Sequence, residues 1–151
     1  LALKHGDRQE IARPAGLWLA NAIRGIVPDH ALIAPIPLHW LRMVKRRYNQ
    51  SALLARALAA QLDHSCSPDL LQRVRRTRSL DGLNREERRK TLENAIRVHP
   101  RRRHQIAGRP VVIVDDVMTT GATLAAATRA CHDAGSGAVF IVTLARVGKA
   151  P

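Results

Sequence analysis

Two adjacent acids followed by a short hydroxyl-rich turn are the residues of this sequence best suited to chemistry. They stand in the stretch Val111-Val112-Ile113-Val114-Asp115-Asp116-Val117-Met118-Thr119-Thr120-Gly121-Ala122-Thr123-Leu124. Carboxylates accept hydrogen bonds from sugar hydroxyls, while threonine hydroxyls and backbone amides donate to phosphate oxygens. Acids first and a threonine-glycine turn second therefore fit a phosphorylated sugar. The four β-branched residues ahead of the acids form the continuous apolar run of a parallel strand covered on both faces, and the run stops at Asp115 and Asp116. That places the acids at the carboxyl end of a strand, the edge where open α/β sheets bind ligands. Small residues around Gly121 can then wrap amides about a phosphate at the start of a helix. A rival reading, an Asp N-cap with ordinary turn residues behind it, explains one acid but not the ordered set.

A second constellation runs from Pro35 to Gln50 and reads PIPLHWLRMVKRRYNQ. Coming directly after an apolar strand, Ile36, Pro37, Leu38 and His39 form a loop at the same sheet edge, with Arg42, Arg46 and Arg47 close behind to offset the charge of an anion. Taken alone, a proline-stopped strand followed by an exposed basic helix would be the preferred account of these residues, since Pro and Arg are common in such loops. Beside the downstream acids, the ligand-loop reading is preferred. A third feature is charge: between Arg73 and Arg103 there are twelve Lys or Arg residues against four acids. Such a density fits a nucleic-acid footprint, a solvated arginine-rich surface or a rim that attracts a polyanionic ligand.

The elements that must position these groups follow from periodicity. A helix is expected over Gln9–Ile23, with Ile11, Ala15, Leu19 and Ala22 on one face and Arg13 and Asn21 toward water. Ala31 to Pro37 reads as a buried strand ended by prolines, and Gln50–Leu62 as an Ala/Leu helix with Leu54, Leu58 and Leu62 in register. Short strands are expected from Leu70 to Arg75 and from Ala95 to His99, with a charged helix between them from Arg85 to Asn94. Beyond the acids, Gly121 to Ala134 fits a helix closed by Gly135, and Ala138 to Leu144 another buried strand. Strands alternating with helices imply a mostly parallel central sheet with right-handed crossovers. No internal repeat, linker or domain boundary interrupts the pattern.

Composition sets the outer bounds. At 151 residues the chain suits one domain, which at that size buries roughly 70% of its unfolded surface. No apolar run approaches the ~20 residues of a membrane-spanning helix, so no membrane insertion is expected. The chain opens at Leu1 without a signal-peptide pattern, as a fragment whose natural start lies upstream would. Cys66 and Cys131 are the only cysteines and lack a CxxC spacing, which points to a reducing cytoplasm and away from a disulfide framework. His64 near Cys66 and His132 beside Cys131 have ligand chemistry, but nothing in the sequence brings the pairs together, and Cys131 is expected to face its helix's core. The net charge of +13 asks for an anionic partner or an exceptional surface.

The acid-and-threonine stretch resembles the motif with which type I phosphoribosyltransferases bind 5-phosphoribosyl 1-pyrophosphate (PRPP). The resemblance implies that Asp115 and Asp116 grip the ribose 2′- and 3′-hydroxyls and that Thr119, Thr120, Gly121, Ala122 and Thr123 hold the 5′-phosphate. Ile36, Pro37, Leu38 and His39, helped by Arg46, would form the pyrophosphate loop. Across Ala31 to Val147 the chain is similar to the ComF family of competence-associated phosphoribosyltransferase-like proteins. The pattern is carried by Pro35, Pro37 and Leu38, then Arg46, Tyr48, Asn49 and Gln50, then Arg76 and Thr77, Gly82 and Leu83, Arg88, and finally the acid motif. Arg47 stands where that pattern has Gly, Leu80 where it has Gln, Thr91 where it has Asn and Ile96 where it has Phe.

What this implies is an α/β, type I phosphoribosyltransferase-like fold with a small hood segment from Arg73 to Asn94 that closes over substrate. Arg76, Arg78 and Arg88 become the catalytic candidates of the hood, stabilising departing pyrophosphate. Mg²⁺ is the implied cofactor, bridging ribose hydroxyls and pyrophosphate without a dedicated protein cage. The acceptor stays open, since Thr119 stands where some purine-salvage relatives carry an acid that assists proton transfer. The rival function is a non-catalytic PRPP- or single-stranded-DNA-binding module in DNA uptake, with Trp40 and Tyr48 available for base stacking. Partners under the resemblance are PRPP, single-stranded DNA or competence-machinery proteins, and a second copy of the chain. The family's amino-terminal cysteine-rich zinc module would precede Leu1.

Overall fold

Among the described residues, a central parallel sheet of three strands carries the molecule. In the computed structural model, which describes residues 9–38, 49–74 and 82–148, the elements in chain order are helix α1 (Gln9–Ile23), β1 (Leu32–Pro35), α2 (Gln50–Leu62), β2 (Leu71–Arg73), α3 (Arg85–Leu92), β3 (Ile96–Val98), a 3-10 helix (Pro100–Gln105), β4 (Val111–Met118), α4 (Ala122–Asp133) and β5 (Val139–Arg146). The sheet order is β1-β4-β5, with Leu32 opposite Val111 and Val111 opposite Val139.

The apolar run on β4 is explained by what covers it. Successive strand side chains point to opposite faces. Val112 and Val114 pack with Leu54 and Leu58 of α2 and with Ala15 and Leu19 of α1, while Val111 and Ile113 pack with Leu124, Ala127 and Cys131 of α4. All four β4 residues are fully buried, each contributing roughly 1.5–3 kcal/mol of hydrophobic stabilisation. Only a strand with helices on both faces needs such a run. α1 and α2 lie close because Gly16 faces Ala57: a Cβ at residue 16 would stand 2.7 Å from the Ala57 Cβ.

The structure corrects the expectations in several places. Strand β4 does not end at the acids but runs through them to Met118, because β5 supplies a partner as far as the pairs Asp115–Thr143 and Met118–Arg146. The short strands β2 and β3 do not join the parallel sheet. They pair with each other antiparallel, Leu71 opposite Val98 and Arg73 opposite Ile96, and lay Leu71, Ile96 and Val98 on the α4 side of the core. Helix α3 stops at Leu92, short of Asn94, which takes a left-handed φ of 59°. Ala22 is exposed, since Ala12, Ala15, Leu19 and Ala20 make the buried face of α1 instead. The 3-10 helix starts at Pro100, whose fixed φ suits a first helical position, behind a His99 ring that accepts from the Arg101 amide at 3.1 Å.

Candidate functional site

The carboxyl ends of β1 and β4 meet the amino ends of α2 and α4 at one edge of the sheet. Asp115 and Asp116 are half-buried there. The Asp115 Oδ1 accepts from the Ser51 hydroxyl at 3.1 Å and from the Asp116 amide at 2.8 Å, and Asp116 Oδ1 accepts from the Val117 amide at 2.9 Å. Burial, reinforced by the neighbouring Asp116 carboxyl, pushes the Asp115 carboxyl up to about 6, against the pull of the Asp116 amide and the Ser51 hydroxyl in the other direction. A carboxyl held there is close to half-ionised in mildly acidic solution. A hydroxyl or cation arriving beside it would complete the ionisation.

Past Met118 the chain turns through Thr119 and Thr120, both exposed, into α4. Gly121 makes the turn with φ 78° and ψ 2°, a left-handed conformation that a β-branched residue adopts only with strain. No side chain caps α4 in its usual way; the nearest is the Thr120 hydroxyl, 3.4 Å from the Ala122 amide. The helical ladder begins with the Ala125 amide donating to the Gly121 carbonyl at 2.9 Å, so the earlier amides of the first turn point out of the helix end toward an anion's position. The first turn carries no acid that would repel one.

The loop after β1 is held against the same edge from two sides. Ile36 still continues the sheet ladder, its amide donating to the Val114 carbonyl at 2.9 Å. Asn49, the N-cap of α2, accepts from the Ala52 amide at 3.3 Å and donates from Nδ2 to the Ile36 carbonyl at 3.1 Å. From β2, Arg73 Nε donates to the Pro37 carbonyl at 3.4 Å. Ile36, Pro37 and Leu38 therefore stand beside the acids in space. His39, Trp40, Arg42, Arg46, Arg47 and Tyr48 lie outside the described residues, as do Arg76 and Arg78. Arg88 of α3 is described, and it reaches the site: it shares a hollow with Asp115 and the turn from Val117 to Leu124.

Two contributors were not singled out for a role by sequence reasoning. Asn49 carried a visible signal, a good N-cap residue just ahead of an Ala/Leu helix. Ser51 carried none, because its partner lies 64 residues away. Away from the edge, His64 turns its ring nitrogens to the Leu62 and Pro28 carbonyls at 2.8 and 3.1 Å, and Cys131 is buried in the core, where desolvation pushes its thiol up to about 12. Among the described residues no group of three or more His, Cys, Asp or Glu side chains is placed to hold a metal, and no helix is long and apolar enough to cross a membrane.

Comparison with known proteins adds to this geometry. The family model of the phosphoribosyl transferase domain matches residues 49–150. The chain is 34% identical over 141 residues to competence protein F of Haemophilus influenzae, covering 90% of this chain and 61% of the relative. It is 33% identical over 151 residues to the DNA utilization protein YhgH of Escherichia coli strain K12, covering 95% of this chain and 64% of the relative. The chain thus spans less than two thirds of the length of these curated relatives. Among solved structures, the glutamine PRPP amidotransferase of B. subtilis superimposes with a TM-score of 0.60 at 17% identity, over 90% of this chain and 26% of that one. The adenine phosphoribosyltransferase of Thermoanaerobacter pseudethanolicus gives 0.56 at 17% identity, over 91% of this chain and 81% of that one. At such identities these likenesses establish the fold, which is that of the type I phosphoribosyltransferases.

Proposed function

Because this chain belongs to the phosphoribosyl transferase domain family, we propose that its edge site binds PRPP and transfers the phosphoribosyl group to an acceptor with release of pyrophosphate. The observation that carries this reading is the convergence of three differently suited groups at one sheet edge: the Asp115–Asp116 step, the uncapped amino end of α4 behind Gly121, and the Ile36–Pro37 loop clipped by Asn49. In this reading the acids accept from the ribose 2′- and 3′-hydroxyls. Thr119, Thr120, Gly121, Ala122 and Thr123 donate to the 5′-phosphate through hydroxyls and backbone amides, and the loop of Ile36, Pro37 and Leu38 lies against pyrophosphate. Proline's lack of an N–H leaves Ile36 and Leu38 as the amide donors of that trio, and the Ile36 amide is already spent on Val114, so Leu38 and the residues after it are the ones left to donate.

The reaction is a displacement at the ribose C1. The bond from C1 to the pyrophosphate oxygen breaks and its electron pair leaves with pyrophosphate, while the acceptor's lone pair forms the new bond and its proton is lost to solvent or to the leaving group. As the old bond lengthens, C1 gains positive character, and an ionised acid pair on the ribose hydroxyls stabilises it electrostatically. Mg²⁺ is the cofactor proposed. The donor set fits it: hard carboxylate oxygens, few in number, suit an ion that keeps several waters and takes its remaining ligands from substrate oxygens. Asp115 and Asp116 are the residues that would hold it beside the ribose, and when bound it supplies charge compensation to pyrophosphate. Hood residues Arg76 and Arg78 are proposed to shield the site from water and to neutralise the leaving group.

An acceptor screen tests the proposal. Purified protein is incubated with PRPP, Mg²⁺ and individual nucleobases, amines or nucleic-acid ends, and pyrophosphate is quantified. Acceptor-dependent release that disappears in Asp116→Asn is expected; release that persists in that variant would place the chemistry elsewhere. A second reading, a non-catalytic PRPP- or DNA-binding module, is favoured by the competence and DNA-utilization names of the relatives and by the exposed Arg97, Arg101 and Arg103 around the 3-10 helix. PRPP binding without turnover across the screen, joined to salt-sensitive binding of single-stranded DNA, is the result that reading expects.

A further inference from the structure

Helix α3 brings four cations near the site, yet only Arg88 faces it. Arg89 is paired with Glu86 at 2.7 Å and half exposed on another side of the helix, and Arg85 and Lys90 are exposed. Arg88 is half-buried, and its Nε donates to the Leu83 carbonyl at 2.9 Å. That bond leaves both terminal nitrogens without a partner among the described residues. The acids of α3 that could have neutralised it are occupied elsewhere. Glu86 serves Arg89, and Glu87 closes a capping box, accepting from the Asn84 amide at 2.9 Å while Asn84 accepts from the Glu87 amide at 2.9 Å. The helix is therefore pinned at its start and packed against α4, and its one inward guanidinium is fixed with free donors.

What those donors face decides which anion they serve. Among the described residues, the hollow containing Arg88 is otherwise made by Asp115 and by the turn and first helical residues from Val117 to Leu124; Ile36, Pro37 and Leu38 take no part in it. A cation serving departing pyrophosphate should instead stand over the loop after β1. We propose that Arg88 is the hood's ligand for the 5′-phosphate, completing from α3 the phosphate subsite that Gly121 and the amino end of α4 build from below, and that it is not a pyrophosphate-stabilising residue. This rests on the reading of that turn as the phosphate cradle. Its consequence is that the hood recognises the end of the substrate that does not react. A sugar phosphate is selected over a free sugar by a residue some thirty positions from the motif, and α3 is held in place by substrate from the moment of binding through pyrophosphate departure.

Calorimetric or NMR titration with ribose 5-phosphate, ribose, Mg-pyrophosphate and Mg-PRPP tests it, using wild type, Arg88→Gln, Arg88→Lys and the exposed control Arg89→Gln. Loss of a charge-assisted hydrogen bond predicts at least about tenfold weaker binding of ribose 5-phosphate and PRPP by Arg88→Gln, with pyrophosphate binding unchanged. Arg88→Lys should recover part of the loss, since a single ammonium keeps the charge but not the fork, and Arg89→Gln should bind as wild type. Wild-type affinity of Arg88→Gln for ribose 5-phosphate overturns the proposal, as does an equal loss for pyrophosphate. The underlying site reading fails in a different way: Gly121→Val and Asp115→Asn would then bind PRPP as wild type does. If those two lose affinity and Arg88→Gln does not, the cradle stands and only the role of Arg88 falls.

Discussion

Asp115→Asn should make the unliganded protein more stable while weakening its ligand binding. The Asp115 carboxyl is pushed from the ordinary 3.8 up to about 6 by burial and by Asp116. A group raised in this way binds its proton more tightly in the folded chain than in the unfolded one. Its contribution is therefore most favourable in acid and is lost as pH rises through about 6. The full rise corresponds to ~3 kcal/mol above both values, and partial solvent exposure and the charge shared with Asp116 reduce the expectation to about 1–2 kcal/mol at pH 7.5. An asparagine carries no charge there and keeps an oxygen to accept from the Ser51 hydroxyl and the Asp116 amide. Urea or thermal unfolding of variant and wild type between pH 5 and pH 8 reads the difference. The variant should gain stability relative to wild type as pH rises, reaching a melting temperature higher by roughly 2–8 °C at pH 7.5. Asp116→Asn should do less, lowering the midpoint of the wild-type pH dependence because one cause of the shift is gone. Equal stability of Asp115→Asn and wild type at pH 7.5, with the same pH slope, would refute the argument that a buried, unneutralised charge is held for ligand.

Gly121→Val should weaken ribose 5-phosphate binding more than Ala122→Ser, because φ is 78° at residue 121 and a β-branched side chain opposes it; equal affinities in a titration would argue against a backbone cradle. Asn49→Ala removes both the cap of α2 and the clip on Ile36, so unfolding should show a loss of about 1–2 kcal/mol. Mg-pyrophosphate affinity should fall in that variant more than ribose 5-phosphate affinity. Mg-PRPP binding should weaken as pH falls through about 6, since protonation of Asp115 removes an acceptor that the ribose hydroxyls need; a flat profile in calorimetry between pH 5 and pH 8 would dissociate Asp115 from the ligand.

The parts of the fold legible in the sequence were those with a local cause. Val111 to Val114 announced a strand buried on both faces, Leu54 and Leu58 a helix stripe, and both are packed on the sheet as expected. The parts that were not legible depend on partners distant in the chain. Strand β4 continues past the acids only because β5 pairs with it to Met118, and nothing within Asp115 to Met118 signals that. The choice of β2 and β3 to pair antiparallel, outside the central sheet, is likewise made by tertiary packing on α4. At the site, the acid and glycine positions were visible as a motif, whereas the Ser51–Asp115 bond joins residues from two elements and has no sequence signature. Arg88 was one cation among many in a basic stretch. Its distinction, free donors turned toward the α4 turn, comes from the Asn84–Glu87 box and the Glu86–Arg89 pair that remove its rivals.

The most direct test of the central claim is calorimetric titration of the chain with PRPP and Mg²⁺, run on wild type, Asp115→Asn and Asp116→Asn under the same conditions. Saturable binding by wild type is expected, weakened in each variant by about 1.5–3 kcal/mol, the worth of a charge-assisted hydrogen bond, while both variants remain folded. Wild-type affinity in both variants, or no binding of PRPP by the wild-type chain, would contradict a ribose site at Asp115 and Asp116.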